Sequence, residues 1–382
     1  MEAYPPEVLA KIFSFLPGKE IGRAAQVCRS FYEASQVENV WRTRCSQEFS
    51  VKVKHVGDFS FRDVYTKLLH KYHFYLGLWQ PQVSSYGGLF QVSFDAQLAA
   101  IVGRELLPPR DPHFTEPLRP RTLFRIGLDK DVTCVGGYGG PHEAAITEFS
   151  RDEFSFKCCD SSQHRHPSGK HQELRDWLHE EASVSLDMHQ FPHSQELLLM
   201  KFLILRQYDY AFQFRRVRLQ DPPPGVPIRP GIFVGTYGTH GLELVQLEYL
   251  DGASKLRAVK LSGDPNVPCG QTTFEVILQY GMELSLEQQV SVAALDALEV
   301  RPHPGAPQPF RVPGDCHERF AQLPRSCIAR YHGLGQVAGH GFTNPSFSRG
   351  HWVVFSEDLF GFLWLELLSL SMYHRVQEDL RC

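Results

Sequence analysis

The chain has 382 residues, room for two or three domains. It is 42% hydrophobic and 21% charged, ample for a core, and its net charge of −4 gives no support for a nucleic-acid or membrane-surface role. No apolar run reaches the ~18 residues of a membrane span, and Met1 leads straight into a helical pattern with no signal peptide before it. Its nine cysteines therefore point to a reducing compartment, where burial or metal binding is expected rather than disulfides.

The first predicted element follows Pro5 and Pro6, since proline is tolerated in a first helical turn. Val8, Leu9, Ile12, Phe13 and Leu16 recur at three- and four-residue intervals and make one apolar face, which Pro17-Gly18 ends. A second helix carries Ile21, Ala24, Ala25, Val27 and Cys28, and a third segment carries Phe31, Val37, Val40 and Trp41. Three helices in about forty residues cannot bury all these side chains alone, so either a partner or the rest of the chain covers them. Phe59 to Tyr75 reads as a further helix, with Val64, Leu68, Leu69 and Tyr72 inward.

From Leu76 the pattern changes to short strands broken by Gly/Pro turns: 76–83, 89–94, 98–106, 123–128 and 132–135, with a Pro-rich loop at 107–120. That pattern predicts a sandwich or barrel rather than a doubly wound sheet. His171 to Gln190 reads as a helix with Leu174, Trp177, Leu178 and Leu186 on its apolar side. Glu196 to Leu205 fits a buried helix or a buried strand equally. Tyr208 to Leu219 alternates as a strand. Gly231 to Tyr249 reads as a hairpin turning near 238–241, and 258–261 and 272–278 are strands around the loop 262–271. Val300 to Pro313, with five prolines, reads as a flexible surface loop. Strands at 326–337, 352–355 and 361–371 complete an α+β chain: N-terminal helices, then a mainly antiparallel β-barrel with inserted helices. We draw the boundaries at 1–48 (helical module), 49–76 (connector) and 77–382 (barrel).

Cys134, His142, Cys158 and His164 follow the spacing C-x7-H-x15-C-x5-H. Two thiolates and two imidazoles suit a closed, structural tetrahedral zinc site pinning a long loop at about 134–166, and such sites contribute apparent binding energies of roughly 10 kcal/mol or more. Cys159 and His166 are neighbouring alternatives, and two buried cysteines beside a solvated His-rich loop would read the same way. The glycine run 136–140 lacks the following Gly-Lys-Ser/Thr of a phosphate loop.

Three stretches rich in glycine and polar side chains could read a ligand: 235–241, 262–266 with Gly270-Gln271, and 339–342. Tyr237, His240, Asp264 and Gln271 are the candidates, because glycine admits close backbone approach and these side chains make specific hydrogen bonds. Ordinary turn chemistry explains each stretch as well. No Gly-x-Ser-x-Gly elbow and no His-Glu-x-x-His is present, so a catalytic role has no motif behind it.

Pro5-Pro6-Glu7-Val8-Leu9, Ile12-Phe13, Leu16-Pro17, AAQVCR over 24–29 and Trp41-Arg42 resemble the F-box motif, with Tyr4 where a leucine is common. In that family the motif docks on the Skp adaptor, and through it on the cullin, of a Skp–cullin–F-box (SCF) ubiquitin ligase. The resemblance implies that Pro6, Leu9, Ile12, Leu16, Val27, Cys28 and Trp41 face the adaptor or support that face. Further along, LGLWQP, RPGIFVGTYGTHGLE, GDPNVPCGQ, AGHGFTNP and FGFLWLEL extend the resemblance over nearly the whole chain, to F-box substrate receptors. It implies a non-catalytic receptor, cytoplasmic and nuclear, whose barrel captures the C-terminal tail of a protein target such as a D-type cyclin. It also implies a zinc site on Cys134, His142, Cys158 and His164, and Asp264 in the substrate pocket. The connection after Glu299 is shorter than the polar insertion of those receptors. A small-molecule-binding or hydrolytic β-barrel with a helical cap, and a scaffold that binds the adaptor alone, are the competing readings.

Overall fold

The structure is a computed structural model that describes residues 4–129, 131–182, 193–298, 306–316, 323–377 and 380. Four helices come first, one more than the periodicity suggested: Pro6–Phe13 (α1), Gly18–Ala24 (α2), Arg29–Ser35 (α3) and Glu38–Phe49 (α4). The second predicted helix stops at Ala24, so Val27 and Cys28 lie in the following turn, and the third predicted segment divides into α3 and α4.

The small module solves its burial problem partly on the connector. Leu9, Phe13, Ile21, Val40 and Trp41 pack with Phe61, Val64, Tyr65 and Leu69 in one core, which also takes in Ala99 of the β region. The Tyr65 hydroxyl donates to Glu48 Oε2 at 2.5 Å, and the Phe61 amide donates to Glu38 Oε1 at 2.6 Å. Residues 61–75 are helical as expected, with Val64–Leu69 wound as a wider π-helix.

The β region is two closed antiparallel barrels of eight strands each, not one. The first comprises Gly77–Pro81 (β1), Leu89–Asp95 (β2), Ala100–Leu107 (β3), Arg119–Ile126 (β4), Val132–Cys134 (β5), His142–Ser150 (β6), Glu153–Cys158 (β7) and Phe212–Val217 (β8), closed by β1 on β8. The second comprises Gly231–Thr236 (β9), Leu242–Leu250 (β10), Lys255–Lys260 (β11), Thr272–Gly281 (β12), and, after the short ribbon Gln308–Pro309 (β13) with Ser326–Cys327 (β14), Ala329–Gly339 (β15), Thr343–Val354 (β16), Leu359–Trp364 (β17) and Ser369–Arg375 (β18). Closure gives every barrel strand a neighbour on both sides, although β6 pairs with β5 only at His142 and Glu143. The 361–371 segment read as one strand is in fact the end of β17, a turn and the start of β18.

Each barrel has its own aromatic core. Trp79, Phe90, Phe124, Phe154, Phe156 and Phe214 fill the first; Phe233, Phe274, Trp352, Phe360, Phe362 and Tyr373 fill the second. Leu78, Leu89, Leu106, Ile232, Val234, Leu242, Leu244 and Leu261 form an apolar seam joining residues of both. The ambiguous 196–205 stretch is helical, within His193–Leu205, and its Phe202 packs on Trp177 of the helix Lys170–Ala182. The remainder of the predicted 171–190 helix, Leu186 included, falls outside the described residues. The 300–313 loop is corrected in its second half: Gln308 is buried, donating to Met282 O at 2.6 Å and accepting from Leu284 N at 2.8 Å, and Phe310 and Val312 pack with Met282, Leu284 and Phe355.

Candidate functional site

Three places carry chemistry. At the N-terminus the helices leave an apolar surface uncovered. Phe15 is 72% exposed and Val27 69%, with Val8, Ile12 and Tyr32 also open to solvent. Of the residues predicted for this face, Pro6, Ile12, Val27 and Cys28 are exposed and Leu16 is half-buried. Leu9 and Trp41 are core residues; the Trp41 indole N–H donates to Ser35 O at 2.7 Å, tying α4 to the end of α3. They support the face rather than form it. Periodicity had marked Val8, but Phe15 and Tyr32 were missed, being out of phase with the inward side.

The Cys/His cluster, which could hold a metal ion, is assembled by the first barrel. Cys134 ends β5, and its register partner His142 opens β6; Cys158 ends β7, and His164 closes the short 3-10 turn Ser161–His164. The four donor atoms lie within 4.8 Å of one another. His142 Nε2 is 2.8 Å from Cys158 Sγ, and Cys134 Sγ is 3.5 Å from His164 Nε2. Donors about 2.0–2.3 Å from a tetrahedral zinc stand roughly 3.3–3.8 Å apart; the Cys134–His164 pair already has that spacing, and the His142–Cys158 pair would widen by about half an ångström to take the ion. The carbonyl of Gly140 accepts from His142 Nδ1 at 2.8 Å, which leaves the Nε2 lone pair free toward the cluster. Gly137, at φ +93°, is needed for the close turn: a Cβ there would meet Gln163 O at 2.6 Å. Burial pushes the Cys134 thiol up to about 12, and burial together with His142 pushes His164 down to about 4. A cation would reverse the first effect by stabilising thiolate. Cys159 is exposed, and His166 Nδ1 accepts from Ser168 N, so neither alternative joins the cluster. The segment foreseen as a loop is largely the β6–β7 hairpin.

The third place is a narrow cleft, about 80 Å³, where the 262–265 loop and the start of β10 meet β3 and the helix His193–Leu205. The three glycine-rich stretches converge near it. Phe342 N donates to Pro265 O, and Asn266 Nδ2 to Ala338 O, so the 339–342 turn braces the 262–266 loop. Asp264 accepts from the amides of Asn266 and Val267 at 2.6 and 2.9 Å and receives Lys260 Nζ at 2.5 Å. Lys260, itself buried, also approaches Glu243 Oε2 at 2.7 Å and sits 4.2 Å from the Tyr237 ring centre. The Glu243 contact is an ion pair in distance only; among the described residues neither of its oxygens has a donor in hydrogen-bonding geometry. His240 Nε2 stands 3.9 Å from Asp264 Oδ1, and Tyr237 shares its hydroxyl with Thr273 and Tyr373.

Two carboxylates thus compete for one ammonium. Burial raises both, but Lys260, His240 and the amides outweigh it at Asp264, which lies below the ordinary carboxylate range; at Glu243 burial wins and the carboxyl is pushed up to about 8. The Gln271 carbonyl accepts from Lys260 N, and neither Gln271 nor Tyr237 is among the residues lining the cleft. Glu243 and Lys260 were missed, although each stands in phase with core positions: Glu243 with Val245 and Leu247, and Lys260 with Leu256 and Ala258. A charge in register with an inward apolar row was the available signal.

Residues 3–47 match the F-box-like family, and residues 214–379, which include the whole second barrel, match the Cyclin D1 binding domain family. F-box only protein 31 of Rattus norvegicus is 40% identical over 429 residues, covering 98% of this chain and 84% of the relative; the Homo sapiens protein of that name is 37% identical over 451 residues, covering 99% and 83%. The chain belongs to the F-box only protein 31 family. Like its family it is a substrate receptor of an SCF-type ubiquitin ligase, joining an F-box to a cyclin D1 binding domain. The alignments are longer than the 382 residues present, so F-box only protein 31 carries segments that this shorter member lacks.

Proposed function

We propose that this receptor holds the Skp adaptor, and through it a cullin, by the exposed apolar face around Phe15 and Val27, and captures a protein target such as a D-type cyclin by its C-terminal tail in the cleft at Asp264. The observation that carries the reading is the convergence of three turns on a buried, hydrogen-bonded Asp264–Lys260 pair inside the matched cyclin-binding region. A chain end suits such a cleft, because polar side chains and turn backbone can hold its terminal group while side chains fill the apolar wall. The receptor itself supplies no chemistry in this reading: it raises the local concentration of target beside the subunits that transfer ubiquitin. The four-residue Cys/His cluster holds a structural zinc ion that ties the β6–β7 hairpin to β5 and to the turn carrying His164.

The test is paired co-purification. Asp264→Asn is expected to alter binding of a cyclin-tail peptide while the adaptor is retained at parental strength. Unchanged peptide binding rejects the site. For zinc, metal analysis of the purified chain beside a Cys134→Ser, His142→Ala variant decides: an absence of metal in the parent rejects that role.

A further inference from the structure

On the outside of the second barrel, away from Asp264, strands β15 and β16 place Arg330, His332 and Leu334 opposite Val353, His351 and Arg349. The helix Val292–Asp296 and Leu298 roof part of this face, leaving a cavity of about 290 Å³ that opens partly to solvent, at the small end of known ligand sites. Ile277, Leu295, Leu298 and Leu334 supply apolar wall; His332 and His351 supply polar atoms.

The polar groups behind this wall are unbalanced. Arg330 is fully buried, and among the described residues it has no carboxylate partner; its two terminal nitrogens donate to Gln289 Oε1 and to His351 Nδ1, both at 2.9 Å. A guanidinium can only donate, so His351 Nδ1 must accept and the ring proton must sit on Nε2. Among the described residues that Nε2–H, on a side chain 1% exposed that lines the cavity, has no partner, nor has Arg330 Nε. A buried charge without a counter-ion and a buried donor without an acceptor are both costly in a fold that otherwise pairs such groups. At the rim, Arg349 pairs with Asp296, Lys255 pairs with Asp251, and Glu275 is exposed, so no described carboxylate turns inward to Arg330.

We propose that this cavity is a second binding site, taking an apolar ligand that ends in a carboxylate, with the acid group received by His351 and its charge balanced by Arg330. It is independent of the tail-binding reading, since no residue of one site lines the other.

The test is titration of the full chain with octanoate and with octanol, followed by calorimetry. Saturable octanoate binding, with octanol weaker by at least about tenfold, is the expected result. Leu298→Trp, which fills the cavity without touching Arg330, should abolish binding. His351→Gln retains an acceptor for Arg330 and a donor toward the ligand and should keep binding, whereas His351→Leu, checked for parental thermal stability, should lose it. Absence of octanoate binding, equal binding of octanol, or undiminished binding by Leu298→Trp each overturns the proposal.

Discussion

Lys260 illustrates what one residue can decide. It is buried with two carboxyl groups and an aromatic ring around it, and it is the buried cation that balances the charge of Asp264. Lys260→Met is therefore expected to destabilise the chain by about 3–5 kcal/mol, read as a lower urea midpoint, because it strands the Asp264 carboxylate without its cation. Glu243→Gln should be far milder at neutral pH, where Glu243 already favours its proton. The sign of the pH effect follows from linkage. A carboxyl raised from 4.5 to about 8 binds more proton folded than unfolded between those values. Stability from this group is thus complete below about 4.5 and lost as pH rises through about 8. Between pH 5 and 8 the parent should lose stability relative to Glu243→Gln; parallel curves would show that Glu243 does not hold its proton there.

At the scale of the element, the two predicted functions of the F-box helices separate. Trp41 lies in the core against Tyr65, ring centres 5.0 Å apart, so Trp41→Ala should cost about 3–5 kcal/mol and lose the adaptor through loosened packing. Phe15→Asp, on an exposed site, should leave the melting temperature within a few degrees and still weaken adaptor co-purification by tenfold or so. The metal hairpin makes a matching prediction. Chelation should expose Cys134 and Cys158 to a thiol reagent and speed amide exchange over 132–164, while exchange in the second barrel stays unchanged. Both elements show where sequence reasoning reached. Spacing offered four donors with two alternatives open, and the fold brings the four together: Cys134 faces His142 across one strand pair, Cys158 stands diagonally across the next, and the turn Ser161–His164 carries in the last.

For the molecule as a whole, the first barrel braces the cleft of the second. Gly88 N donates to Leu261 O, Gly263 N to Tyr86 O and Cys269 N to Ser85 O, while Gln80 Nε2 reaches Leu261 O at 2.8 Å. The 84–88 turn is thereby joined to the very loop that carries Asp264. Gly87 sits at φ +55°, and a Cβ there would meet Leu261 O and Cys269 at 2.5–2.6 Å. Gly87→Val should push the loops apart, lowering tail-peptide binding while adaptor co-purification stays at the parental level; equal peptide binding would show the brace to be dispensable.

Taken alone, the sequence determined the local pattern: helices first, strands after, an F-box motif near the N-terminus, a Cys/His quartet, and three glycine-rich polar turns. Each is written in short-range periodicity or spacing, which a linear reading can see. Division of the strands into two closed barrels, burial of Lys260 between Glu243 and Asp264, exclusion of Gln271 and the packing of Phe310 depended on contacts between residues far apart in the chain. Strand pairing and loop convergence are set by closure and by which apolar faces meet, and alternation within one strand records only that it has two sides, not what lies against them.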